Sequence, residues 1–225
     1  MTQIVRVTVE DLPRLARCHC SAFPKTLSTA MGQKYVEKML EWYLVDKRSF
    51  IFALQENNGI VGYCGGLKFD GLARVGSASS MIQHSYNLAV KTFLMRPWLF
   101  LHPEFISKYK LAVKNVWRRI KRRLGISIIN AKSGNHELPQ PHTGLIVIGV
   151  DPAFQGKGYG SLLLKEFEII SAGLGYVQMM LTVRTDNLQA IRSYSKNGWQ
   201  VTYQDEKSTT MEKRIDQSTS LNFKS

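Results

Sequence analysis

The first third of the chain has the pattern of one strand followed by two helices. Apolar and polar residues alternate over 4–9, which predicts a strand. Two acidic residues and Pro13 then make a typical helix start, and Pro24 ends that helix. Aromatic and aliphatic residues recur at helical spacing over 32–45 and predict a second helix.

Two apolar runs follow, over 50–55 and 60–69, and the sequence Asn-Asn-Gly at 57–59 separates them. Such a turn between two strand-like runs is typical of a β-hairpin. We therefore expect the chain to begin in the order β-α-α-β-β.

The C-terminal part alternates strands with helices. A β-branched run over 145–150 predicts a buried strand, which Pro152 prevents from continuing. The elements expected after it are a helix over 158–172, a strand over 177–183, a helix capped by Asn187, and strands over 199–203 and 209–215. The strand over 177–183 is expected to run parallel to the one over 145–150, because a helix connects the two.

The segment 71–143 lies between these halves and has a pattern of its own. Its expected parts are a loop over 76–80, an apolar stretch over 87–101, an amphipathic helix over 103–124 and a loop over 130–141. We expect residues 1–225 to form a single domain, of which 71–143 is a basic helical insertion.

The insertion carries most of the net charge of +13. Residues 87–132 contain eleven lysines and arginines against the single acid Glu104, which leaves a net charge of +10. Three interpretations are open: a helical hairpin packed on the sheet, a cap that presents cations to an anionic acceptor, or a contact of residues 87–124 with a membrane surface. Nucleic-acid binding is not expected, because no nucleic-acid-binding motif accompanies the charge.

The composition, 44% hydrophobic and 21% charged, is typical of a soluble globular protein. Three cysteines are too few for a disulfide framework and indicate a reducing compartment. No metal site is expected, because Cys18-His19-Cys20 has no matching ligand pair elsewhere. The N-terminus lacks the apolar core of a signal peptide and no stretch is apolar enough to span a bilayer, so we expect a cytoplasmic protein, with membrane-peripheral contact as an option.

A strand, a glycine loop and a helix succeed one another over 145–164, which gathers backbone N–H groups at the positive end of a helix to hold phosphate. A P-loop is absent, and the dinucleotide-binding pattern fails at its third glycine. The pattern Q/R-x-x-G-x-G/A is met by Gln155, Gly158 and Gly160. Here the chain resembles the GCN5-related N-acetyltransferase (GNAT) superfamily, whose pyrophosphate loop for acetyl-CoA has this form. The alternative is a plain glycine-rich turn.

A second pattern of this superfamily is N-x-x-A-x-x-x-Y-x-x-x-G-[FW], filled by Asn187, Ala190, Tyr194, Gly198 and Trp199. The resemblance extends over 145–201, and over 4–69 by element order only. It implies an α/β (α+β) GNAT fold, with a central mixed twisted sheet of about seven strands flanked by helices and a helical insertion between strands 3 and 4.

The resemblance also implies site residues. The sheet would splay between the strands over 145–150 and 177–183. The backbone of Ile148, Gly149 and Val150 would then pair with the pantetheine arm of acetyl-CoA. The other cofactor-binding residues implied are Gln155, Gly156, Lys157, Gly158, Tyr159, Gly160, Ser161 and Asn187. Tyr194 would donate a proton to the leaving thiolate, and Glu137 and His142 are candidates for the base.

The implied function is transfer of an acetyl group from acetyl-CoA, without a metal, to a primary amine of a small molecule. An amino sugar or a nucleotide-linked amino sugar would suit a basic acceptor wall. The alternatives are a protein or peptide N-acetyltransferase, and a CoA-binding regulatory or membrane-contact module without activity. A homodimer is also left open.

Overall fold

The computed structural model describes residues 2–70, 77–107 and 140–215. Six helices are labelled α1 (Leu12–Ala22), α2 (Leu27–Met31), α3 (Gln33–Val45), α4 (Ser77–Met95), α5 (Tyr159–Gly173) and α6 (Leu188–Lys196). The strands are β1 (Thr2–Arg6), β2 (Ser49–Glu56), β3 (Gly59–Phe69), β4 (His142–Val150), β5 (Gln178–Arg184), β6 (Gln200–Gln204) and β7 (Ser208–Arg214).

The strands form one seven-stranded sheet in the order β1-β2-β3-β4-β5-β7-β6. Only β4 and β5 pair in parallel, so the sheet is mixed, as expected. Tyr63 and Cys64 are neighbours on β3 and enter different core clusters, one with α1 and α3 and one with α5. Because successive side chains of a strand point to opposite faces, helices cover both faces of the sheet. The predicted α/β GNAT fold is confirmed.

Glycines in β3 let helices approach both faces of the sheet. A Cβ on Gly65 would lie 2.8 Å from the ring of Tyr43, and a Cβ on Gly66 would lie 2.6 Å from the ring of Phe167. Tyr43 belongs to α3 and Phe167 to α5. The two glycines therefore allow close packing from both sides at the middle of the sheet.

Most predicted elements of the two halves are confirmed within a few residues, including the hairpin, where Asn57 and Asn58 have φ of 48° and 62°. The first strand was predicted too late in the sequence. Residues 7–9 leave the sheet because Thr8 and Asp11 form a capping box, in which the Asp11 carboxylate accepts from the Thr8 N–H at 2.9 Å. The short helix α2 was not predicted at all.

The prediction of a loop over 76–80 was wrong, because α4 begins at Ser77. Of the three interpretations of the insertion, packing on the sheet does not describe α4, which lies against α3 and α2. Leu99 of the following 3-10 turn contacts the same cluster as Met31 and Tyr35. Residues 103–107 are helical, whereas the rest of the helix predicted to end at 124 lies outside the described residues. In the described ranges, no helix combines the length and apolar character needed to cross a membrane.

Candidate functional site

The sheet opens between its two parallel strands. Pairing of β4 with β5 is limited to residues 143–145 opposite 179–181. On its other side, β4 contains a β-bulge, because Gly66 pairs with Leu145 and Gly65 with Val147, which leaves Ile146 as the extra residue. The strands separate at this bulge, and β4 continues to Val150 without a partner on the β5 side. The predicted splay is confirmed.

Alternate residues of β4 turn their backbone groups into this gap. The Asp151 N–H donates to the Val61 carbonyl of β3 at 2.9 Å. Because neighbouring residues of an extended strand direct their polar groups to opposite sides, those of Val150 and Ile148 face the gap. The Gln155 side chain donates to the Val150 carbonyl at 3.1 Å. Gln155 thus lies at the mouth of the gap, in contact with the strand that a cofactor arm would pair with.

Gly149 was expected to turn its backbone groups into the gap, and this prediction was wrong. It lies opposite Tyr63 in the β3 register, so its backbone groups face β3 and not the gap. A Cβ here would lie 2.9 Å from Phe23 and 3.2 Å from Ala22 at the end of α1. Glycine at this position therefore lets α1 pack closely on β4.

The glycine loop presents a set of backbone donors at the N-terminus of α5. No hydrogen-bond partner is found for the N–H groups of residues 156–161 within the described part of the chain. Gly156 and Gly158 have φ of +79° and +81°, a conformation that favours glycine. A Cβ on either of them, or on Gly160, would meet no atom within 4 Å. The loop is therefore open, electropositive and unsatisfied, as an anion-binding site requires.

The side chains of the loop have varied partners. Lys157 Nζ lies 4.7 Å from the centre of the Phe154 ring, and Ser161 Oγ accepts from the Asn197 amide at 3.1 Å. The Tyr159 hydroxyl donates to Glu56 at 3.0 Å, which links α5 to the end of β2. The side chain of Tyr159, one of the predicted binding residues, is therefore engaged by Glu56, and only its backbone N–H is available to bind an anion.

Asn187 and Tyr194 lie on the other side of the gap. Asn187 directly precedes α6, and Tyr194 lies within it. Asn187 caps this helix as predicted, because its side chain accepts from the Ala190 N–H at 3.2 Å. Tyr194 packs with Trp199 in the α5-side core, with ring centres 6.2 Å apart. Burial raises the pKa of Tyr194 to about 12, and its hydroxyl has no hydrogen-bond partner among the described residues. This phenol is thus a protonated donor at neutral pH.

A polar network that the sequence analysis missed lies on the α1 side of β4. His19 Nδ1 and the Tyr63 hydroxyl are hydrogen-bonded at 2.5 Å, and His19 Nε2 and Ser28 Oγ at 3.2 Å. Burial lowers the pKa of His19 to about 4, so the ring is neutral at pH 7. Its neighbour Tyr63 faces the same side as Gly149. Ser28 and Tyr63 follow His19 by 9 and 44 positions in the sequence, so no local pattern relates the three residues.

The insertion reaches this same side. Glu104 accepts from the Leu27 N–H of α2 at 2.7 Å. The pKa of Arg184, at the end of β5, is raised mainly by its hydrogen bond with Asp186, and Glu104 acts in the same direction. Glu104 therefore contacts the start of α2, and its charge also acts on Arg184 at the end of β5.

The two base candidates named from sequence do not gain support from the geometry. Glu137 lies outside the described residues. His142 begins β4, is buried, and stacks on Phe69 with ring centres 4.7 Å apart. At about 3.3 Å per residue it is roughly 25 Å from Val150, so it does not reach the gap.

Comparison with known proteins finds similarity to acetyltransferases. Residues 122–199 match the profile of the Acetyltransferase (GNAT) family. A mycothiol acetyltransferase from Mycobacteroides abscessus is 41% identical over 69 residues, which are 30% of this chain and 23% of that protein. This chain therefore matches less than a quarter of the length of that curated relative.

Solved structures show the same fold at low identity. The PaiA N-acetyltransferase from Thermoplasma acidophilum, in complex with coenzyme A, is 14% identical at a TM-score of 0.53 and covers 95% of this chain and 99% of its own. An N-acetyltransferase from Staphylococcus aureus Mu50 is 14% identical at a TM-score of 0.54, over 96% and 99% of the two chains. Residues 122–199 thus match the GNAT acetyltransferase family, and the chain shares the fold of these solved N-acetyltransferases.

Proposed function

We propose that this protein is an acetyl-CoA-dependent N-acetyltransferase that acts on the primary amine of a small molecule. The observation that carries the proposal is the row of N–H groups at 156–161, which have no partners among the described residues and lie at the positive end of α5. Hydrogen bonds to a charged group contribute about 1.5–3 kcal/mol each. Several such donors on one pyrophosphate are sufficient for micromolar affinity, which corresponds to about 8 kcal/mol.

The pantetheine arm would lie in the gap between β4 and β5 as an added strand. Ile148 and Val150 direct their backbone groups into the gap and would pair with the amides of the arm. Gln155 would have to release the Val150 carbonyl or share it. The Val150 N–H would then donate to the oxyanion of the reacting thioester, a contact that contributes about 10²–10³ in rate in other enzymes.

The reaction would be direct attack of a neutral amine on the thioester carbonyl. The N–C bond forms, the C–S bond breaks, one amine proton leaves and the thiolate takes up a proton. The hydroxyl of Tyr194 would donate to the sulfur as charge develops on it. A free thiol has a pKa of about 8.5, but burial raises it, as it does for the nearby Cys64. The desolvated site therefore favours proton transfer to the sulfur.

The amine proton would leave on the α1 side. The hydroxyl of Ser28 is half-buried at the first turn of α2 and contacts the His19 ring. A neutral imidazole accepts at one nitrogen and donates at the other. The neutral His19 ring would thus orient the Ser28 and Tyr63 hydroxyls, and the amine proton would leave to water, because the low pKa of the ring argues against its transfer to His19.

An amino sugar, free or nucleotide-linked, is the acceptor that we propose to test first; the net charge of +10 over residues 87–132 would suit the anionic, nucleotide-linked form. The name of the curated relative, a mycothiol acetyltransferase, supports acetyl transfer as the chemistry. A protein or peptide amine is the alternative acceptor. The single-domain organisation with an insertion over 71–143, the cytoplasmic location and a homodimer stay predictions.

The first experiment is calorimetric titration with acetyl-CoA and with CoA. Micromolar binding of both is expected. If no heat of binding is measured at several temperatures, the proposal is contradicted, and the loop is a structural turn. Release of free CoA is next followed with a thiol reagent, in the presence of amino sugars, polyamines, or peptides with free α-amines. Binding without turnover on any amine would favour the non-catalytic alternative.

The role of Tyr194 is tested with Tyr194→Phe and the matched control Tyr203→Phe, whose ring is 60% exposed on β6. With any acceptor found, Tyr194→Phe is expected to lower kcat by about 10²-fold, while the Kd for acetyl-CoA stays within a factor of two. Tyr203→Phe is expected to change neither. Equal kcat in both variants would assign Tyr194 to core packing alone.

A further inference from the structure

The α1 side of β4 is closely packed at the point where this strand borders the gap. A Cβ on Gly149 would lie 2.9 Å from the Phe23 ring. The next atoms that it would meet belong to Tyr63, at 3.1 Å, and to Ala22, at 3.2 Å. Ala22 is the last residue of α1, and Phe23 follows it. A single methyl group therefore does not fit over Gly149 unless the Phe23 ring moves.

The Phe23 ring is held in this position by its backbone and by its neighbours. The Phe23 carbonyl accepts from the Thr26 hydroxyl at 3.0 Å and from the Thr29 hydroxyl at 2.8 Å. The Phe23 N–H donates to the His19 carbonyl at 2.9 Å, and the ring packs against the His19 imidazole, with centres 5.0 Å apart. That imidazole is itself hydrogen-bonded to the Tyr63 hydroxyl at 2.5 Å. Displacement of the Phe23 ring would thus disturb a connected set of contacts.

The closed space over Gly149 adjoins the place proposed for the thioester. Val150 follows Gly149, and its N–H, which faces the gap, would donate to the thioester oxygen. At an ordinary hydrogen-bond length, the carbonyl carbon would then lie about 4 Å from the Val150 nitrogen. The first carbon of the acyl chain beyond the carbonyl would therefore come close to Gly149 and to the Phe23 ring.

The acyl chain would extend to the α1 side of the sheet. The pantetheine arm would start at the glycine loop before α5, and Tyr194, the proposed proton donor to the sulfur, packs in the α5-side core. Because the sulfur and the acyl chain leave the carbonyl carbon in different directions, the chain would point away from α5 and towards α1. There it meets the Phe23 ring, or it turns towards Ser28, where it would take the space of the attacking amine.

From this packing we infer that Phe23 restricts the acyl donor to acetyl-CoA and excludes acyl groups of four or more carbons. An acetyl group ends at the first carbon beyond the carbonyl, whereas a butyryl group has two more carbons, for which the Phe23 ring leaves no space. Extra methylenes forced into a packed site change an equilibrium constant by roughly 5- to 150-fold. The inference rests on the proposed function, because it places the thioester at Val150.

The test is calorimetric titration of wild type and Phe23→Ala with CoA, acetyl-CoA and butyryl-CoA, without an acceptor. In wild type, the Kd for butyryl-CoA is expected to be at least about tenfold higher than the Kd for acetyl-CoA. In Phe23→Ala, these two Kd values are expected to agree within about twofold, because the truncated side chain leaves space for two more carbons. The Kd for CoA, which carries no acyl group, should differ by less than about twofold between the two proteins.

Phe69→Ala is the matched control. Phe69 is also half-buried and also covers a glycine of β4, since a Cβ on Gly144 would lie 2.6 Å from its ring. Gly144 lies in the part of β4 that pairs with β5, away from the gap. Phe69→Ala should therefore lose similar packing and keep the difference between acetyl-CoA and butyryl-CoA seen in wild type. If Phe23→Ala melts early, Phe23→Leu replaces it, with a difference about threefold smaller than in wild type.

Two results would overturn the inference and leave the proposed function intact. The first is equal affinity of wild type for acetyl-CoA and butyryl-CoA. The second is a preference for acetyl-CoA that is as large in Phe23→Ala as in Phe69→Ala, since another part of the molecule would then exclude the longer chain. If wild type binds neither acetyl-CoA nor CoA, the proposed function itself is contradicted, and this inference is lost with it.

Discussion

Replacement of Gly160 by alanine should separate the anion-binding role of the loop from the stability of α5. Gly160 lies in the first turn of this helix, with a helical backbone, and a Cβ on it would meet no atom within 4 Å. Folding therefore gives no reason for glycine here. Alanine is favoured over glycine by up to about 1 kcal/mol in a helix. For a chain of this length that gain corresponds to a rise in Tm of roughly 2–4 °C.

The same methyl group should weaken acetyl-CoA binding. It would project beside the N–H groups of residues 159–161, which have no partners in the described structure. Loss of one charged hydrogen bond costs about 1.5–3 kcal/mol, so Kd is expected to rise roughly 10- to 150-fold. Gly173→Ala is the matched control, because Gly173 is the last residue of α5 and is equally open. It should raise Tm similarly and leave Kd unchanged.

A thermal shift assay compares these variants in one experiment. Acetyl-CoA at 100 times the wild-type Kd stabilises the folded state by about 2.7 kcal/mol. At the same concentration, a variant with a 100-fold higher Kd gains only about 0.4 kcal/mol. Gly160→Ala should therefore melt higher than wild type without ligand and lower with it. If Gly160→Ala and Gly173→Ala show the same ligand shift as wild type, phosphate does not approach this turn.

Three further predictions concern stability. The pKa of His19 is about 4 in the fold and about 6.5 when unfolded, so the unfolded state binds more protons between these values. Stability should thus be lost as pH falls from 6.5 to 4, by on the order of 3 kcal/mol, and urea titrations at several pH values should show a smaller loss for His19→Gln. Gly158→Ala should destabilise by about 1–2 kcal/mol, because φ is +81°, opposite in sign to Gly160→Ala in the same assay. Gly66→Ala should cost more than 2 kcal/mol in chemical denaturation, because its methyl would lie 2.6 Å from Phe167; a cost below 1 kcal/mol would mean that the ring moves freely.

The donor side was largely predictable because its signals are local. Gln155, Gly158 and Gly160 lie close together between a strand and a helix. Backbone geometry alone explains why glycine is present at 156 and 158, where φ is positive. Asn187 was recognisable as a helix cap for the same reason. The bulge at Ile146 was not predictable, because no residue there has a turn-forming side chain. The splay itself came only from the family resemblance.

The insertion was predicted less well because tertiary contacts decide its structure. Small polar residues at 76–80 favour a loop by propensity, yet α4 starts at Ser77. Ser85 of this helix is buried against the Tyr35 hydroxyl at 3.3 Å, and His84 contacts Glu41 at 2.9 Å. Packing against α3 therefore outweighs the local preference at the N-terminal end of α4.

The proposed acceptor side was not predictable for a related reason. Its groups come from α1, α2, β3, the insertion and β5, and each of His19, Ser28, Tyr63, Glu104 and Arg184 is unremarkable in its own segment. A site made of backbone N–H groups in one turn constrains sequence strongly and locally. A site made of side chains from five segments constrains sequence only through the fold. A cofactor can thus be proposed from a single stretch, whereas the acceptor must be found by experiment.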